Sequence, residues 1–399
     1  MQPPLTAADA EWLISGAAAT RLADLAAATA PLHRLAATLR REHSAERTHL
    51  LLEQVDLRRR ARTKFPLAER MLFTRVGLEQ ATDAWVAAYK AARFGDCRRV
   101  ADLCCGIGGD LAAIAGVAAT AGVDSSAALL RLAEANARAA GVRKVEARAE
   151  DATSAAVAEM LEGFDAWHID PDRRPEGRRT TRVDLHSPDT SQLDKLTRRN
   201  RNAAIKLAPG AEPPDAWLAD RELEWISRGG ECKQLVVWSG SLAKRPGART
   251  ATALDNAGAV KGSITASPAA AVGVATDIGQ AVYEPDAAVL AAGLDGVLAD
   301  QHSLHRVGAA GSYLTGPAGA GAPLLAEFRV EEVMPFRTAK LARRLRELGV
   351  GRLELKSRGA EVDLARLRHQ LKAAGEASAT VIVAQREGRV VAILCHRVG

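Results

Sequence analysis

The sequence predicts an α/β protein that has a helical N-terminal region and a small α+β domain at its C-terminal end. Three observations support this fold class. Apolar positions recur three and four residues apart from residue 6 to about 92, which is typical of amphipathic helices. From about residue 99, short apolar strands alternate with helices, and this alternation predicts a parallel sheet covered on both faces. A second, compact set of strands and helices follows residue 326.

Length and composition agree with a folded protein of several domains. The chain has 399 residues, of which 47% are hydrophobic and 26% are charged. At about 100 to 200 residues per domain, this length predicts two or three domains, each with its own core. We expect the helical region over 1–92, the main α/β domain over 93–325 and the α+β domain over 326–399.

The composition also argues against several classes of protein. No run of 18 apolar residues occurs, so no membrane span is predicted, and no secretion signal is recognised, so we expect a cytoplasmic protein. Five cysteines, an odd number, fit a reducing compartment better than a disulfide framework. Without CxxC, HxxxH or HExxH spacings, no metal site is predicted. The net charge of +6 permits a polyanionic partner without requiring one.

The individual elements follow from local patterns. The segment Lys64-Phe65-Pro66 interrupts the N-terminal helices, because proline lacks the backbone donor. The main domain is expected to contain strands over 99–104, 121–124, 144–149, 164–169 and 202–207, helices over 110–120 and 126–140, and further strands over 234–238 and 250–254 at an antiparallel edge. Residues 255–326 give no clear pattern. In the tail we expect strands over 328–334, 352–356, 380–385 and 389–396 and helices over 339–348 and 364–374.

A glycine-rich turn follows the first strand of the main domain. The sequence Gly106-Ile107-Gly108-Gly109-Asp110 joins that strand to a helix, so bare backbone and the free amides of a helix start can approach a ligand. Dinucleotides and S-adenosylmethionine are both bound by turns of this kind. A complete dinucleotide motif would place a third glycine at position 111, where the chain has Leu111.

An acidic residue lies in, at the end of or just after each of the first three strands of the main domain. Asp102 lies in the first strand, Asp124 ends the second and Asp151 follows the third. Because carboxyl ends of parallel strands meet at one edge of a sheet, these acids are expected to line one crevice. A carboxylate at Asp124 can accept hydrogen bonds from both hydroxyls of a ribose. Since NAD enzymes also have an acid there, Asp124 alone does not separate the two cofactors.

The fourth strand leads into the sequence Asp170-Pro171-Asp172-Arg173-Arg174. Its position places Asp170 at the same edge, where the carboxylate can orient an acceptor group and take up its proton. Arg173 and Arg174 can pair with a phosphate or a carboxylate of the acceptor. Ten basic residues stand against six acidic ones over 170–206, which adds positive charge beside this edge.

These segments carry a family resemblance. The pattern Asp102-x-x-x-Gly106-x-Gly108, together with Arg75-x-Gly77-Leu78-Glu79-Gln80-Ala81-Thr82 and the segment from Asp170 to Arg174, resembles bacterial class I S-adenosylmethionine-dependent methyltransferases with a THUMP-like C-terminal domain. The resemblance implies a Rossmann-like methyltransferase sheet to about residue 325 and a THUMP-like, ferredoxin-like tail. THUMP domains present RNA to a catalytic domain, so RNA is the implied substrate. Many relatives that methylate exocyclic amines have Asp-Pro-Pro-aromatic after the fourth strand, whereas Asp172 and Arg173 replace the last two residues here.

The resemblance also implies roles for individual residues. The cofactor-binding residues would be Asp102, Cys104, Gly106, Gly108, Asp124, Ser125 and Asp151. At the acceptor we expect Asp170 on the grounds of its position, and Arg173 and Arg174 on the grounds of their charge. Three alternatives stay open: a small-molecule methyltransferase, an NAD-type oxidoreductase and a non-catalytic RNA-binding protein that has kept the fold.

Overall fold

The computed structural model describes residues 5–28, 32–142, 144–172, 181–267 and 272–398. The chain forms two compact units, Met1–Leu223 with Gln234–Gly247 and Glu224–Lys233 with Ala248–Gly399. The boundaries of these units differ from those of the three segments expected from the sequence. The division into 1–92, 93–325 and 326–399 therefore stays a prediction.

Eleven α-helices are described in the first unit. Several begin at residues whose side chains accept a backbone N–H, as Thr6, Ser15 and Ser44 do, and such caps set where a helix starts. Buried leucines of the first helices form one apolar cluster with Ile107 of the glycine-rich turn. The helices are α1 (Ala7–Ile14), α2 (Gly16–Ala27), α3 (Leu32–Leu39), α4 (Ala45–Ala61), α5 (Arg75–Gln80), α6 (Ala84–Ala91), α7 (Gly109–Ile114), α8 (Ala127–Ala139), α9 (Ala155–Met160), α10 (Thr190–Arg199) and α11 (Asp215–Leu218).

The sheet of the first unit has the predicted alternating topology. Five of its strands are β1 (Arg99–Leu103), β2 (Ala119–Asp124), β3 (Glu146–Ala149), β4 (Ala166–Ile169) and β5 (Ala203–Leu207). They lie parallel in the order β3-β2-β1-β4-β5. The chain then forms β6 (Glu222–Arg228) and β7 (Glu231–Trp238), and β7 pairs antiparallel with β5. The parallel sheet and its antiparallel strand confirm the predicted fold class.

One buried amide connects the N-terminal helical region to this sheet. The Asn136 side chain, on α8, accepts from the Leu72 N–H at 2.7 Å and donates to the Leu72 carbonyl at 2.9 Å. It also donates to the Ile107 carbonyl at 2.9 Å. Since Ile107 belongs to the glycine-rich turn, the N-terminal region helps to fix the position of that turn.

The second unit contains a seven-stranded sheet in the order β11-β12-β10-β13-β16-β15-β14. Its strands are β10 (Ala281–Pro285), β11 (His305–Arg306), β12 (Leu314–Gly316), β13 (Leu325–Pro335), β14 (Val350–Ser357), β15 (Ala377–Arg386) and β16 (Arg389–Arg397). The unit also contains β8 (Arg249–Leu254), β9 (Val260–Ala266), α12 (Ala287–Ala292), α13 (Asp295–Gln301), α14 (Thr338–Glu347) and α15 (Leu364–Leu371). Strands β8 and β9 pair antiparallel.

The structure shortens one predicted element and adds others that the sequence did not predict, among them β6 and the strands and helices within 255–326. The helix expected over 110–120 ends at Ile114, because Gly116 follows in a turn and β2 already begins at Ala119. Strand β10 lies in the region that gave no clear pattern, and it pairs antiparallel with β13. The sheet of the tail is therefore larger than expected. In the described part of the chain, no helix has the length and apolar character that a bilayer crossing requires.

The close packing of the glycine-rich turn gives a prediction about stability. A Cβ atom added at Gly108 would lie 3.0 Å from the Cα and Cβ of Ala133, and the φ of Gly108 is +83°. Gly108→Ala should therefore lower the free energy of unfolding by about 2 kcal/mol or more. Urea denaturation measures this change, with Gly16→Ala as the control because no atom lies within 4 Å of its added Cβ. Equal stability of the two variants would contradict the prediction.

Candidate active site

The turn between β1 and α7 combines tight packing with open space. Cys104, Gly106 and Gly108 all have positive φ, at 53°, 54° and 83°. An added Cβ at Gly106 would meet no atom within 4 Å, in contrast to one at Gly108. Gly106 therefore leaves room beside the backbone, whereas Gly108 allows α8 to approach it.

The segment around α5 packs directly on this turn. A Cβ added at Gly77 would lie 2.6 Å from Cγ2 of Ile107, and one at Gly109 would lie 3.1 Å from the carbonyl oxygen of Thr82. The Lys64 ammonium donates to the carbonyl of Leu78 at 2.8 Å, near the end of α5. The segment from Arg75 to Thr82 thus packs against the glycine-rich turn and helps to fix its position.

The structure brings Asp124 and the turn together. The Oδ2 atom of Asp124 accepts from the Gly106 N–H at 2.9 Å, and Oδ1 accepts from the Ser126 N–H at 2.9 Å. Ser126 is the residue that caps α8, whereas Ser125 is exposed beside it. The carboxylate at the end of β2 is therefore fixed against the backbone of the turn.

The end of β3 lies beside the end of β2. The Glu150 N–H donates to the Asp124 carbonyl at 3.1 Å. Asp151 is exposed, and its carboxylate accepts from the N–H and the hydroxyl of Thr153 at 2.7 and 2.6 Å. The hydroxyl and backbone hydrogen bonds from Thr153 hold the pKa of Asp151 below its usual range. Asp151 is thus an anion in an accessible position.

Asp102 has a different environment from the other acids. Its side chain is buried, and Oδ1 lies 2.7 Å from Nδ1 of His168, which is its register partner on β4. Burial raises the pKa of Asp102, and the adjacent imidazole partly offsets this effect. Asp102 is therefore buried and is not on the accessible side of the turn. The cofactor-binding role that the resemblance implies for it stays a prediction.

A buried lysine extends this contact. Lys90, on α6, is 2% exposed, and its ammonium lies 2.7 Å from Oδ1 of Asp110 and 3.3 Å from Nε2 of His168. The Thr82 hydroxyl donates to Oδ2 of Asp110 at 2.6 Å. We call Lys90, Asp102, Asp110 and His168 the buried polar cluster. It connects β1, β4, α6 and the start of α7.

The electrostatics of this cluster depend on Lys90. Burial lowers the pKa of Lys90, and the Asp110 carboxylate opposes that effect. Burial is the largest single effect on the pKa of Asp110 and disfavours its charged form. The Lys90 ammonium, His168 and Lys206 together outweigh burial and hold this pKa well below its usual range. The ion pair therefore contributes stability above about pH 4 that is lost as the pH falls further.

The two cysteines of the turn are unsuited to nucleophilic chemistry. Burial raises the pKa of Cys104 and of Cys105 above the usual range of a thiol. Both therefore stay protonated at neutral pH, and a thiolate mechanism has no support at this edge. Among the described residues, no cluster of histidines, cysteines and acids suited to a metal ion occurs.

The carboxyl end of β4 carries a second charged pair. The Lys206 ammonium, on β5, donates to Oδ2 of Asp170 at 2.5 Å and to the Gln80 carbonyl at 3.1 Å. The Gln80 side chain donates to Oδ1 of Asp172 at 3.1 Å. The side chain of Asp170 is 30% exposed and that of Lys206 is 11% exposed. A carboxylate in a fixed position is thus accessible at the predicted edge, while Arg173 and Arg174 lie outside the described residues.

Sequence reasoning did not assign roles to Lys90, Lys206, His168 or Gln80. Two of them could have been noticed, because Lys90 and Lys206 are single charged residues in otherwise apolar elements. A lysine in such a place is rarely buried unless it is paired. The sequence does not identify the partners, because they come from segments far away in the chain.

Breaking the buried ion pair should be costly. Lys90→Met would leave the Asp110 carboxylate buried without its partner, which we expect to lower the free energy of unfolding by about 3 to 5 kcal/mol at pH 7. The loss should shrink below about pH 4, because Asp110 of the unfolded chain then takes up a proton and the wild type itself loses the stability that the ion pair contributes. Urea denaturation at both pH values tests this, and Lys90→Met combined with Asp110→Asn should recover part of the loss. A pH-independent effect of Lys90→Met would contradict the electrostatic explanation.

The chain resembles known proteins over most of its length. A family model described as THUMP domain-like matches residues 325–397. Two relatives from Mycobacterium tuberculosis, strains CDC 1551 and H37Rv, are each named as an uncharacterized S-adenosylmethionine-dependent methyltransferase. Each is 31% identical over 357 residues, which cover 86% of this chain and 94% of the relative.

A solved structure supports the same fold. The crystal structure of a proposed methyltransferase from Porphyromonas gingivalis W83 matches with a TM-score of 0.77 at 22% identity and covers 96% of this chain and 98% of that one. Together with the glycine-rich turn and the acid at the end of β2, the relatives decide between the two cofactors. The chain belongs to the S-adenosylmethionine-dependent methyltransferases, with a THUMP-like C-terminal domain and S-adenosylmethionine as its cofactor.

Proposed function

We propose that this enzyme methylates a nucleobase of RNA in the cytoplasm. The THUMP-like match over 325–397 supports the choice of RNA, because THUMP domains present RNA to a catalytic domain. The basic residues around the fourth strand favour a substrate with negative charge. All five cysteines are free, as is usual in a reducing compartment.

The cofactor is bound at the turn after β1. Open space beside Gly106 admits the ligand, and Asp124 lies at the end of the next strand. Each carboxylate oxygen of Asp124 accepts one backbone N–H, and a carboxylate can accept about four hydrogen bonds in all. Capacity therefore remains for the two ribose hydroxyls, while Asp151 is accessible to the adenine amino group.

The acceptor site is at the end of β4, and the fixed carboxylate of Asp170 is the observation that supports this assignment. When bound, S-adenosylmethionine supplies a methyl group on a sulfonium, so the transfer depends mainly on in-line positioning within about 3 to 3.5 Å. Asp170 accepts a hydrogen bond from the acceptor N–H and orients the nitrogen lone pair. As the new carbon–nitrogen bond forms and the carbon–sulfur bond breaks, Asp170 receives the proton that the nitrogen loses.

Lys206 is a positioning residue in this scheme. Its ammonium donates to one oxygen of Asp170 and to the Gln80 carbonyl, which restricts the rotamers available to the carboxylate. Gln80 in turn donates to Asp172. Arg173 and Arg174 would pair with a phosphate next to the target base.

The assignment of the cofactor site predicts the effect of Asp124→Ala. The variant loses the acceptors for the ribose hydroxyls and for the Gly106 N–H, so the affinity for S-adenosylhomocysteine should fall about ten-fold or more. Isothermal titration calorimetry measures the dissociation constant. Asp124→Asn keeps one side-chain oxygen and should lose less. An unchanged dissociation constant for Asp124→Ala would show that the ligand is bound elsewhere.

The assignment of the acceptor site predicts a different pattern for Asp170→Asn. The rate of labelled methyl transfer to RNA should fall about 100-fold or more, because the variant cannot take up the proton. Binding of S-adenosylhomocysteine should change little. Asp220→Asn is the control, since Asp220 is an exposed acid of the same unit and its carboxylate is 3.9 Å from Arg201.

The substrate is tested on RNA from cells that lack the protein. Mass spectrometry of its nucleosides, before and after incubation with the enzyme and cofactor, should show one methylated nucleoside that is absent without enzyme. The same nucleoside should be missing from RNA of the deletion strain and present in the wild type. If no nucleoside differs between the two strains, the acceptor is a small molecule or a protein.

A further inference from the structure

His168 is a buried titratable side chain that the proposed mechanism does not use. It lies on β4, is 1% exposed and is the register partner of Asp102 on β1. Both of its ring nitrogens have polar neighbours: Nδ1 lies 2.7 Å from Oδ1 of Asp102, and Nε2 lies 3.3 Å from Nζ of Lys90. Buried polar groups are normally hydrogen-bonded, so these two contacts decide which nitrogen carries the proton.

The Lys90 side chain identifies the protonated nitrogen. Its ammonium is paired with Oδ1 of Asp110 at 2.7 Å, and an ammonium has N–H donors but no lone pair. The contact with His168 is therefore a hydrogen bond only if Nε2 is the acceptor, which leaves the proton on Nδ1. A doubly protonated ring would instead direct an N–H at the ammonium, and Oδ2 of Asp110, 3.9 Å from Nε2, is too far away to accept it.

The proton on Nδ1 is directed at the carboxylate of Asp102. The Nδ1–H donates to Oδ1 of Asp102 at 2.7 Å. A hydrogen bond to the charged form of a carboxyl group favours that form. Burial raises the pKa of Asp102, and the contact with His168 opposes this rise. His168 thus orients the carboxylate and counteracts the effect of burial on its charge.

With a neutral His168, the buried polar cluster has one negative charge in excess. Within this cluster Lys90 balances Asp110, so Asp102 has no cation of its own. A buried charge is costly unless an opposite charge balances it, which points to a cationic ligand nearby.

The charge of Asp102 reaches the glycine-rich turn. Asp102 lies two residues before Cys104, the first residue of the turn with positive φ. Burial raises the pKa of the Cys104 thiol most, and the carboxylates of Asp124, Asp170 and Asp102 add to this rise. Asp124 is proposed to hold the ribose and Asp170 the acceptor, so the part of the cofactor that joins the sugar to the methyl group lies between them. That part is the sulfonium.

We propose that His168 is a positioning residue for cofactor binding and that it acts through Asp102. The neutral imidazole keeps the Asp102 carboxylate ionised beside the glycine-rich turn, and this charge favours a cationic ligand. S-adenosylmethionine carries a sulfonium, whereas S-adenosylhomocysteine has lost this charge, so the cluster favours the cofactor over its product. The inference rests on the proposed placement of the cofactor, whereas the position of the proton on His168 rests on the hydrogen bonds alone.

The position of the proton is tested on the full-length protein with ¹⁵N-labelled histidine. Long-range ¹H–¹⁵N correlation spectra at neutral pH distinguish a protonated ring nitrogen from a bare one. The signals of His168 are those that disappear in His168→Asn. We expect a protonated Nδ1 and a bare Nε2. A proton on Nε2, alone or in addition to one on Nδ1, would overturn the inference.

The effect on binding is measured by isothermal titration calorimetry with S-adenosylmethionine and with S-adenosylhomocysteine. His168→Phe and Asp102→Asn should each raise the dissociation constant of S-adenosylmethionine about ten-fold and that of S-adenosylhomocysteine about three-fold or less, because the lost charge acts on the sulfonium. The two substitutions combined should weaken binding no more than Asp102→Asn alone, because His168 acts through that carboxylate.

Two further variants separate this role from a structural one. His168→Asn keeps a side-chain N–H near the position of Nδ1, so it should retain most of the affinity for S-adenosylmethionine. Val100→Ala truncates a fully buried side chain on the same strand as Asp102 and removes no charge. It should lower the melting temperature and leave both dissociation constants unchanged. Wild-type affinity of His168→Phe for S-adenosylmethionine overturns the inference, and so does an equal loss of affinity for the two ligands.

The outcome is separable from that of the proposed cofactor site. If Asp124→Ala and Asp102→Asn both bind S-adenosylmethionine as the wild type does, the proposed site and this inference both fail. If Asp124→Ala binds weakly while Asp102→Asn and His168→Phe bind as the wild type does, the proposed site stands and the inference about His168 fails.

Discussion

The ion pair between the Lys90 ammonium and the Asp110 carboxylate is the interaction on which the active site depends. Asp110 is in the first turn of α7, so the pair fixes the point where the glycine-rich turn becomes a helix. Through His168, the same cluster reaches Asp102 on β1 and thus spans the two strands that end at the site. A buried charge without a partner costs several kcal/mol, so loss of either side chain of the pair would strongly destabilise the fold. The turn is consequently held at the start of α7 by this ion pair and at Ile107 by a hydrogen bond from the Asn136 side chain.

A second lysine–aspartate pair lies at the accessible edge of the sheet, and its role differs from that of the buried pair. Lys206 also pairs with an aspartate across neighbouring strands, but there the carboxylate remains partly exposed. The two pairs differ in burial. The buried Lys90 pair stabilises the fold, whereas the Lys206 pair restricts the orientation of a partly exposed carboxylate, which is the group proposed to orient the acceptor. Gln80 joins the N-terminal helical region to this edge, because its carbonyl accepts from Lys206 and its side chain donates to Asp172. The helices that precede the sheet therefore contribute to the proposed acceptor site.

The sequence allowed the five parallel strands and the elements of the C-terminal tail to be predicted, because alternating apolar patterns are local properties. The position of Asp124 at the same edge as the glycine-rich turn also followed from a general rule, since the carboxyl ends of parallel strands meet at one edge of a sheet. Its hydrogen bond from the Gly106 N–H was not predicted. The partners of Lys90 and Lys206 could not be predicted, because they depend on which segments far apart in the chain become neighbours. Strand β10 was missed for a different reason. It follows a stretch rich in glycine and alanine, where apolar periodicity is weak, and its pairing with β13 is a tertiary contact.

The chemistry of the proposed acceptor site limits the ways in which it can select a base. In the proposed function, the target base is selected where the acceptor nitrogen contacts Asp170. The Asp170-Pro171-Asp172-Arg173 sequence lacks the ring that stacks on the base in many exocyclic-amine methyltransferases, so hydrogen bonds and charge must provide selectivity there. A substrate with a base already displaced from its stack, such as a loop or a strand end, fits this combination best, because the enzyme then does not have to supply the stacking energy itself.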